Sequence, residues 1–239
     1  MTTILVTEKH DEKGNLYYVQ SSLSEVFNYA NCTLKVEQIN DREILKINCP
    51  EEYKDVVCVE VADKVAEVIA IKYKNDFFKN GMNIQGLNNI EREIMYASLI
   101  AADLDEDKKY SFEKIKGSEN IAIDGIFNFR LGALKKKWQD IIDYIPSCFL
   151  NTHLKDFIGY LLENKRKRVY VESGRVYDSH YRRLKRSQLL DGDKAKIVRE
   201  ILLSNCGEVR LTGQLPQEDE YYLREFYNDK IVFCSENSN

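Results

Sequence analysis

The chain has little of what interrupts or staples a fold. Its 239 residues include three prolines and eleven glycines, too few for long flexible linkers. Six cysteines stand at 32, 49, 58, 148, 206 and 234, with no C-x-x-C among them. Structural zinc sites draw on closely spaced ligand pairs, and disulfide frameworks belong to secreted chains. Reduced thiols and a cytoplasmic setting are therefore expected. The opening MTTILVTEKHDEK has no basic stretch followed by a long apolar one, so no signal peptide is read there. The most apolar run, residues 56–71, is broken by Glu60, Asp63, Lys64 and Glu67. It is too short and too charged to span a bilayer and reads as a buried amphipathic helix.

Catalytic patterns are also scarce. Three histidines, His10, His153 and His180, are the whole supply of imidazole bases. His153 lies three residues before Asp156, on one face of an expected helix. No G-x-S-x-G, H-E-x-x-H or catalytic-cysteine signature accompanies it. Asp103, Asp105 and Asp107 imitate the start of a calcium loop. Lys108 then stands where that loop needs glycine, and Lys114 where it needs a bidentate glutamate. Near the end, Thr212-Gly213 follows an expected strand without a Walker or G-x-G-x-x-G pattern. The helix after it opens with Glu218, Asp219 and Glu220, which would repel a phosphate. No catalytic residue, metal ligand or cofactor site is assigned.

What is present is patterned. Hydrophobic residues make up 44% and charged residues 31%, enough apolar material for a sizeable core. Residues 2–7 read as a strand and 9–15 as a polar turn. Residues 21–30 read as a short helix capped by Ser21 or Ser22. Residues 32–39 and 43–49 alternate about Asn40-Asp41 as a hairpin. Pro50 opens a helix to about Lys79, with Gly81 as its C-cap. Helices follow over 90–102, capped by Asn88 or Asn89, and over 109–116, ended by Gly117. Residues 121–123 read as extended. Asp124 then caps a long helix to about Ile145, before Pro146. Its apolar face is Phe127, Leu131, Leu134, Trp138, Ile141 and Ile145, spaced 4-3-4-3-4. Trp138 is expected to be buried there. A further helix runs from Asn151 or Thr152 to about Asn164.

The pattern then changes. Residues 168–172 and 175–181 alternate about Ser173-Gly174 as a second hairpin. A helix from Asp193 to Asn205 ends at Cys206-Gly207. A strand over 208–212, a helix over 218–227 behind Pro216, and a strand over 230–234 form a βαβ unit with parallel strands. The whole reads as an α+β fold: an N-terminal α+β part (1–50), a helical region (51–165) and a C-terminal α/β subdomain (166–239).

Charge singles out the second hairpin. Residues 164–186 hold nine Lys/Arg against two acids, a net +7. The whole chain carries −4, so the remainder carries −11. Pairing through the two-residue turn sets Glu172 against Arg175, Val171 against Val176 and Tyr170 against Tyr177. Val169, Val171 and Val176 share one face and should pack inward. Arg168, Tyr170, Arg175, Tyr177, Tyr181 and Arg183 share the other. That face suits a nucleic-acid backbone, an anionic membrane surface or an acidic protein; alternatively, it is a solvated strand pair whose tyrosines cover apolar area.

The stretch IDGIFNFRL, with the helices of DIIDYIPSCFLNTHLKDFIGYLL behind it, resembles the YtxC-like family of sporulation proteins from endospore-forming bacteria. Ile123, Gly125, Phe127, Phe129, Arg130 and Leu131 carry the likeness. EILLSNCGEVRLTG and EYYLREFYNDKIVFC fit that family's compact α/β end, so the resemblance spans roughly residues 50–239. The basic stretch NKRKRVYVESGRVYDSHYRRLKR departs from the family's more acidic character there. The resemblance implies a bacterial sporulation role and supplies no catalytic residues. Three readings stand: a non-enzymatic cytoplasmic factor acting through an unidentified protein partner; a protein binding nucleic acid or an anionic surface through residues 164–186; and an enzyme whose site is not visible in sequence.

Overall fold

A computed structural model describes residues 1–9 and 14–234. The fold is α+β, with two four-stranded sheets and helices between them in the chain. The expected polar turn at 9–15 falls mainly on residues 10–13, outside the described residues, as does His10.

In chain order, β1 (Thr2–Lys9) is followed by α1 (Asn15–Ser22), α2 (Ser24–Tyr29), β2 (Thr33–Ile39) and β3 (Arg42–Cys49). Next come α3 (Lys54–Val68), a π-helical turn over Ile69–Tyr73, and α4 (Lys74–Gly81). After α5 (Asn89–Ile115) stand β4 (Asn120–Ala122), α6 (Ile123–Arg130), α7 (Gly132–Tyr144) and α8 (Asn151–Leu162). The chain closes with β5 (Arg168–Glu172), β6 (Arg175–Tyr177), α9 (Lys196–Leu203), β7 (Glu208–Thr212), α10 (Gln217–Tyr227) and β8 (Ile231–Phe233).

These elements form two compact units. One comprises Met1–Lys74 and Asp105–Asp140; the other comprises Asn75–Leu104 and Ile141–Asn239. The first unit's sheet has the order β2-β3-β1-β4, antiparallel except for the β1–β4 pair. Period-two alternation sends Ile4, Val6, Leu45, Ile47 and Cys49 to one face, where all are buried. The β2–β3 hairpin turns at Asn40 in the left-handed region (φ 57°), as the Asn-Asp pair predicts.

Several expected boundaries move. A helix begins at Asn15, well before Ser21, and is followed by α2 rather than by one serine-capped helix. The helix expected from Pro50 to Lys79 contains the π turn. Gly81 is not a left-handed cap: it ends α4, and a Cβ there would meet Ile142 Cδ1 at 2.5 Å. The helices expected over 90–102 and 109–116 are one element, broken only at Asp103 (φ −134°). Its cap is Asn88, whose Oδ1 accepts from the Ile90 and Glu91 amides, both at 2.9 Å, while Glu91 reaches back to the Asn88 N–H. The long helix expected from Asp124 is interrupted at Leu131 (φ −111°, ψ 31°), giving α6 and α7. Asp124 lies inside α6 and pairs with Arg42. Leu131, Leu134 and Trp138 are buried all the same.

In the second unit the sheet order is β6-β5-β7-β8. The β7–β8 pair is parallel across α10, as expected. The β5–β7 pair is also parallel, with α9 in its crossover. Right-handed crossovers place α9 and α10 on the same side of a sheet ordered this way. Val169, Val171, Val176, Val209 and Leu211 are buried on that sheet's apolar face.

Candidate binding surface

The β5–β6 hairpin has the register its alternation predicts: Tyr170 opposite Tyr177, Val171 opposite Val176 and Glu172 opposite Arg175. Ser173 (φ 47°) and Gly174 (φ 72°) both take positive φ. This is the primed turn whose twist suits a two-residue hairpin. The expected second strand to Tyr181 stops at Tyr177, because Asp178 starts a new reversal. Its Oδ1 accepts from the His180 and Arg182 amides at 2.8 and 2.9 Å, and its carbonyl from the Tyr181 amide at 3.0 Å. Burial opposes ionisation of Asp178, but the Arg182 and His180 N–H groups hold its carboxyl below the ordinary value. The returning chain bridges Arg183 to Tyr177, and the Leu184 amide reaches the Val176 carbonyl.

That reversal places Tyr181 over the hairpin. Its ring lies 5.5 Å from Tyr177, nearly parallel, and 5.1 Å from Tyr170. Its hydroxyl donates to Glu172. This contact, with smaller contributions from desolvation and neighbouring groups, pushes the phenol up to about 12. Tyr181 has φ 60°, a genuine outlier for a bulky side chain and a kind of strain that gathers at functional sites.

Of the six residues assigned to this face, the structure brings Tyr170, Tyr177 and Tyr181 into one aromatic cluster, with Arg183 opposite Tyr177. Arg175 is exposed beyond the turn. Arg168 is engaged: its guanidinium bonds Glu208, which the parallel β7 delivers directly opposite. The Arg168 and Arg210 guanidiniums together hold the Glu208 carboxyl below its usual range. Glu172, on the same face as Tyr170, is an acidic member that the basic character of the segment conceals. The side chains of Arg166, Lys167, Arg175 and Arg183 make no ion pair among the described residues.

Other candidates resolve into structural roles. His153 Nδ1 accepts the Leu150 N–H at 3.3 Å, and its ring meets Phe149 edge-on. The α8 N-cap is therefore Leu150, not Asn151 or Thr152. His180 is exposed in the Asp178 reversal. Cys206 is fully buried, and burial pushes its thiol up. None of the six cysteines is in a disulfide. Asp193 does not cap α9; the Ile197 and Val198 amides donate to Asp219 Oδ1 at 2.9 and 3.0 Å, and the Ala195 amide to Glu218. The acids opening α10 thus serve the start of α9. Among the described residues, no group of three His, Cys, Asp or Glu could hold a metal ion. No helix there is long and apolar enough to cross a membrane.

The first unit holds a polar network that sequence reasoning missed. Asp107 is buried and accepts from Lys74 (2.7 Å), Lys137 (2.8 Å) and Trp138 Nε1 (2.8 Å). Glu67, also buried, takes the Tyr18 hydroxyl and Lys64, each at 2.8 Å. Buried Glu8 takes Tyr73 at 2.7 Å and Asn15 at 3.0 Å. Tyr73 belongs to the π turn, and Lys74 follows it directly. Lys108 and Asp63, paired at 2.8 Å, join this network to a surface cavity of about 520 Å³ that Val59, Glu60 and Phe112 also line. Spacing alone gave no sign of these acids, since each carboxylate meets donors from distant parts of the chain. No protein-family model matches the chain, and comparison with curated proteins and solved structures finds no match.

Proposed function

We propose that this chain is a cytoplasmic sporulation protein of the YtxC-like type that works through contact with a protein partner. One observation carries the reading. Within the segment that bears the resemblance, Ile123 and Leu131 are buried, while Phe129 is 88% exposed and Arg130 beside it is exposed. A phenylalanine and an arginine side by side on a surface are residue types that interfaces favour. Deleting the gene in its host should lower the count of heat-resistant spores, and the wild-type gene should restore it. Normal sporulation without the gene would refute the reading.

A second reading is favoured by the tyrosine cluster and by the cations around it that make no ion pair among the described residues. On this reading residues 164–186 hold an anionic partner against the open face of β5 and β6. Retention on a polyanion at low salt, falling steeply as salt rises, is the corresponding test.

A further inference from the structure

We propose that this face of the second unit's sheet binds single-stranded nucleic acid, with a base stacked on the outer face of the Tyr181 ring. The inference rests on the anionic-partner reading and names its ligand. Tyr181 stacks on Tyr177, also meets Tyr170 at a tilt, and is itself 53% exposed. A base that continues this stack covers apolar ring area without needing a particular sequence. Cations flank the rings at both ends of β5. Arg166 and Lys167 precede the strand, and Arg175 follows the turn, about 17 Å away at the rise of an extended strand. Arg183 stands opposite Tyr177. None of these four is in an ion pair among the described residues, so their charge is available to phosphates.

The acids on the face discriminate between ligands. Glu172 lies under Tyr181, and Asp178 anchors the reversal. A dense anionic surface such as a lipid headgroup layer meets only repulsion from these carboxylates. A single strand can turn base edges toward them, and exocyclic amines of bases donate to carboxylates. The Tyr181 backbone, held in the left-handed region by the Asp178 reversal, fixes the ring in place before any ligand arrives, which lowers the ordering cost of binding.

The test uses the full chain and a labelled oligodeoxycytidylate, whose bases carry the exocyclic amine, with heparin and phosphatidylserine vesicles as comparison ligands. The oligonucleotide should bind at low salt. Tyr181→Ala and Tyr177→Ala should each weaken it by roughly 5- to 100-fold, while Tyr181→Phe and Tyr177→Phe, which keep the ring, should restore binding. Arg175→Ala and Arg183→Ala should each flatten the dependence of log affinity on log salt by about 0.7. Unchanged affinity in the alanine variants would overturn stacking. Binding of heparin or vesicles through Arg175 and Arg183 without binding of the oligonucleotide would overturn this inference and leave the anionic-partner reading standing. Failure to bind any of the three would overturn both.

Discussion

Asp107 is 1% exposed, yet it is the common acceptor for an indole and two ammonium groups. A buried carboxylate is tolerable only when its lone pairs are met by good donors. Removing its charge in Asp107→Asn should cost about 3–5 kcal/mol, the usual result of breaking a buried ion pair from one side. Trp138 is the chain's single tryptophan, so the loss can be followed by denaturant unfolding through its emission. Trp138→Ala should cost a similar amount, about 3–5 kcal/mol, by leaving a cavity. A smaller side-chain event is expected at Tyr181. Its bond to Glu172 favours the protonated phenol, so this contact is intact below about pH 10 and is lost as pH rises toward 12. In a spectrophotometric titration Tyr181 should ionise late, and Glu172→Gln should bring it down toward an ordinary tyrosine.

At the scale of elements, hydrogen bonds from distant segments explain where the sequence was and was not readable. The register and turn of the β5–β6 hairpin were legible to the residue, because alternation and a Ser-Gly turn are both local, while the early end of β6 at Tyr177 was not. The β5–β7 pairing was not: nothing near Arg168 announces that Glu208 will lie opposite. The same holds for α9, whose cap comes from Asp219 of the next helix, while Asp193 had the better local credentials. Helix α1 was missed because Asn15–Ser22 mixes tyrosines, serines and a valine with few strong helix formers. The interruption at Leu131 was hidden because the apolar spacing continues through it. Nothing in the local sequence announces the burial of Lys74 and Asp107, since only tertiary pairing makes it possible.

Asp219 offers a direct check. Burial pushes its carboxyl up, more than the two amides it caps pull it down. A raised carboxyl contributes most below the ordinary carboxylate value and loses that contribution as pH rises through the folded value. Wild-type stability should therefore fall relative to Asp219→Asn as pH rises across that window. Asp219→Ala should cost about 0.5–2 kcal/mol through loss of the cap. Two glycines give opposite expectations. A Cβ at Gly207 would lie 2.1 Å from the Lys165 carbonyl oxygen, so Gly207→Ala must displace backbone and destabilise. At Gly132, in α7, no atom lies within 4 Å of an added Cβ. Gly132→Ala should stabilise by roughly 0.4–1 kcal/mol, mainly by restricting the unfolded chain. Thermal unfolding of the two variants decides both.

For the whole molecule, the α+β class, the placing of most strands and the basic hairpin face followed from patterning, while the clustering of Tyr181 with Tyr170 and Tyr177 and the exposure of Phe129 needed the structure. Each unit has its own four-stranded sheet and its own core. The first adds buried carboxylates met by donors from distant segments, and an exposed Phe129-Arg130 pair. The second adds an aromatic cluster within the segment that carries +7 while the rest of the chain carries −11. These features favour work done by contact at surfaces. The most direct measurement is the count of heat-resistant spores in a deletion strain that expresses Phe129→Ala with Arg130→Ala at the wild-type protein level. The account predicts spore counts near those of the deletion strain, from a variant whose unfolding curve matches the wild type. Full restoration of spores by that variant would contradict it.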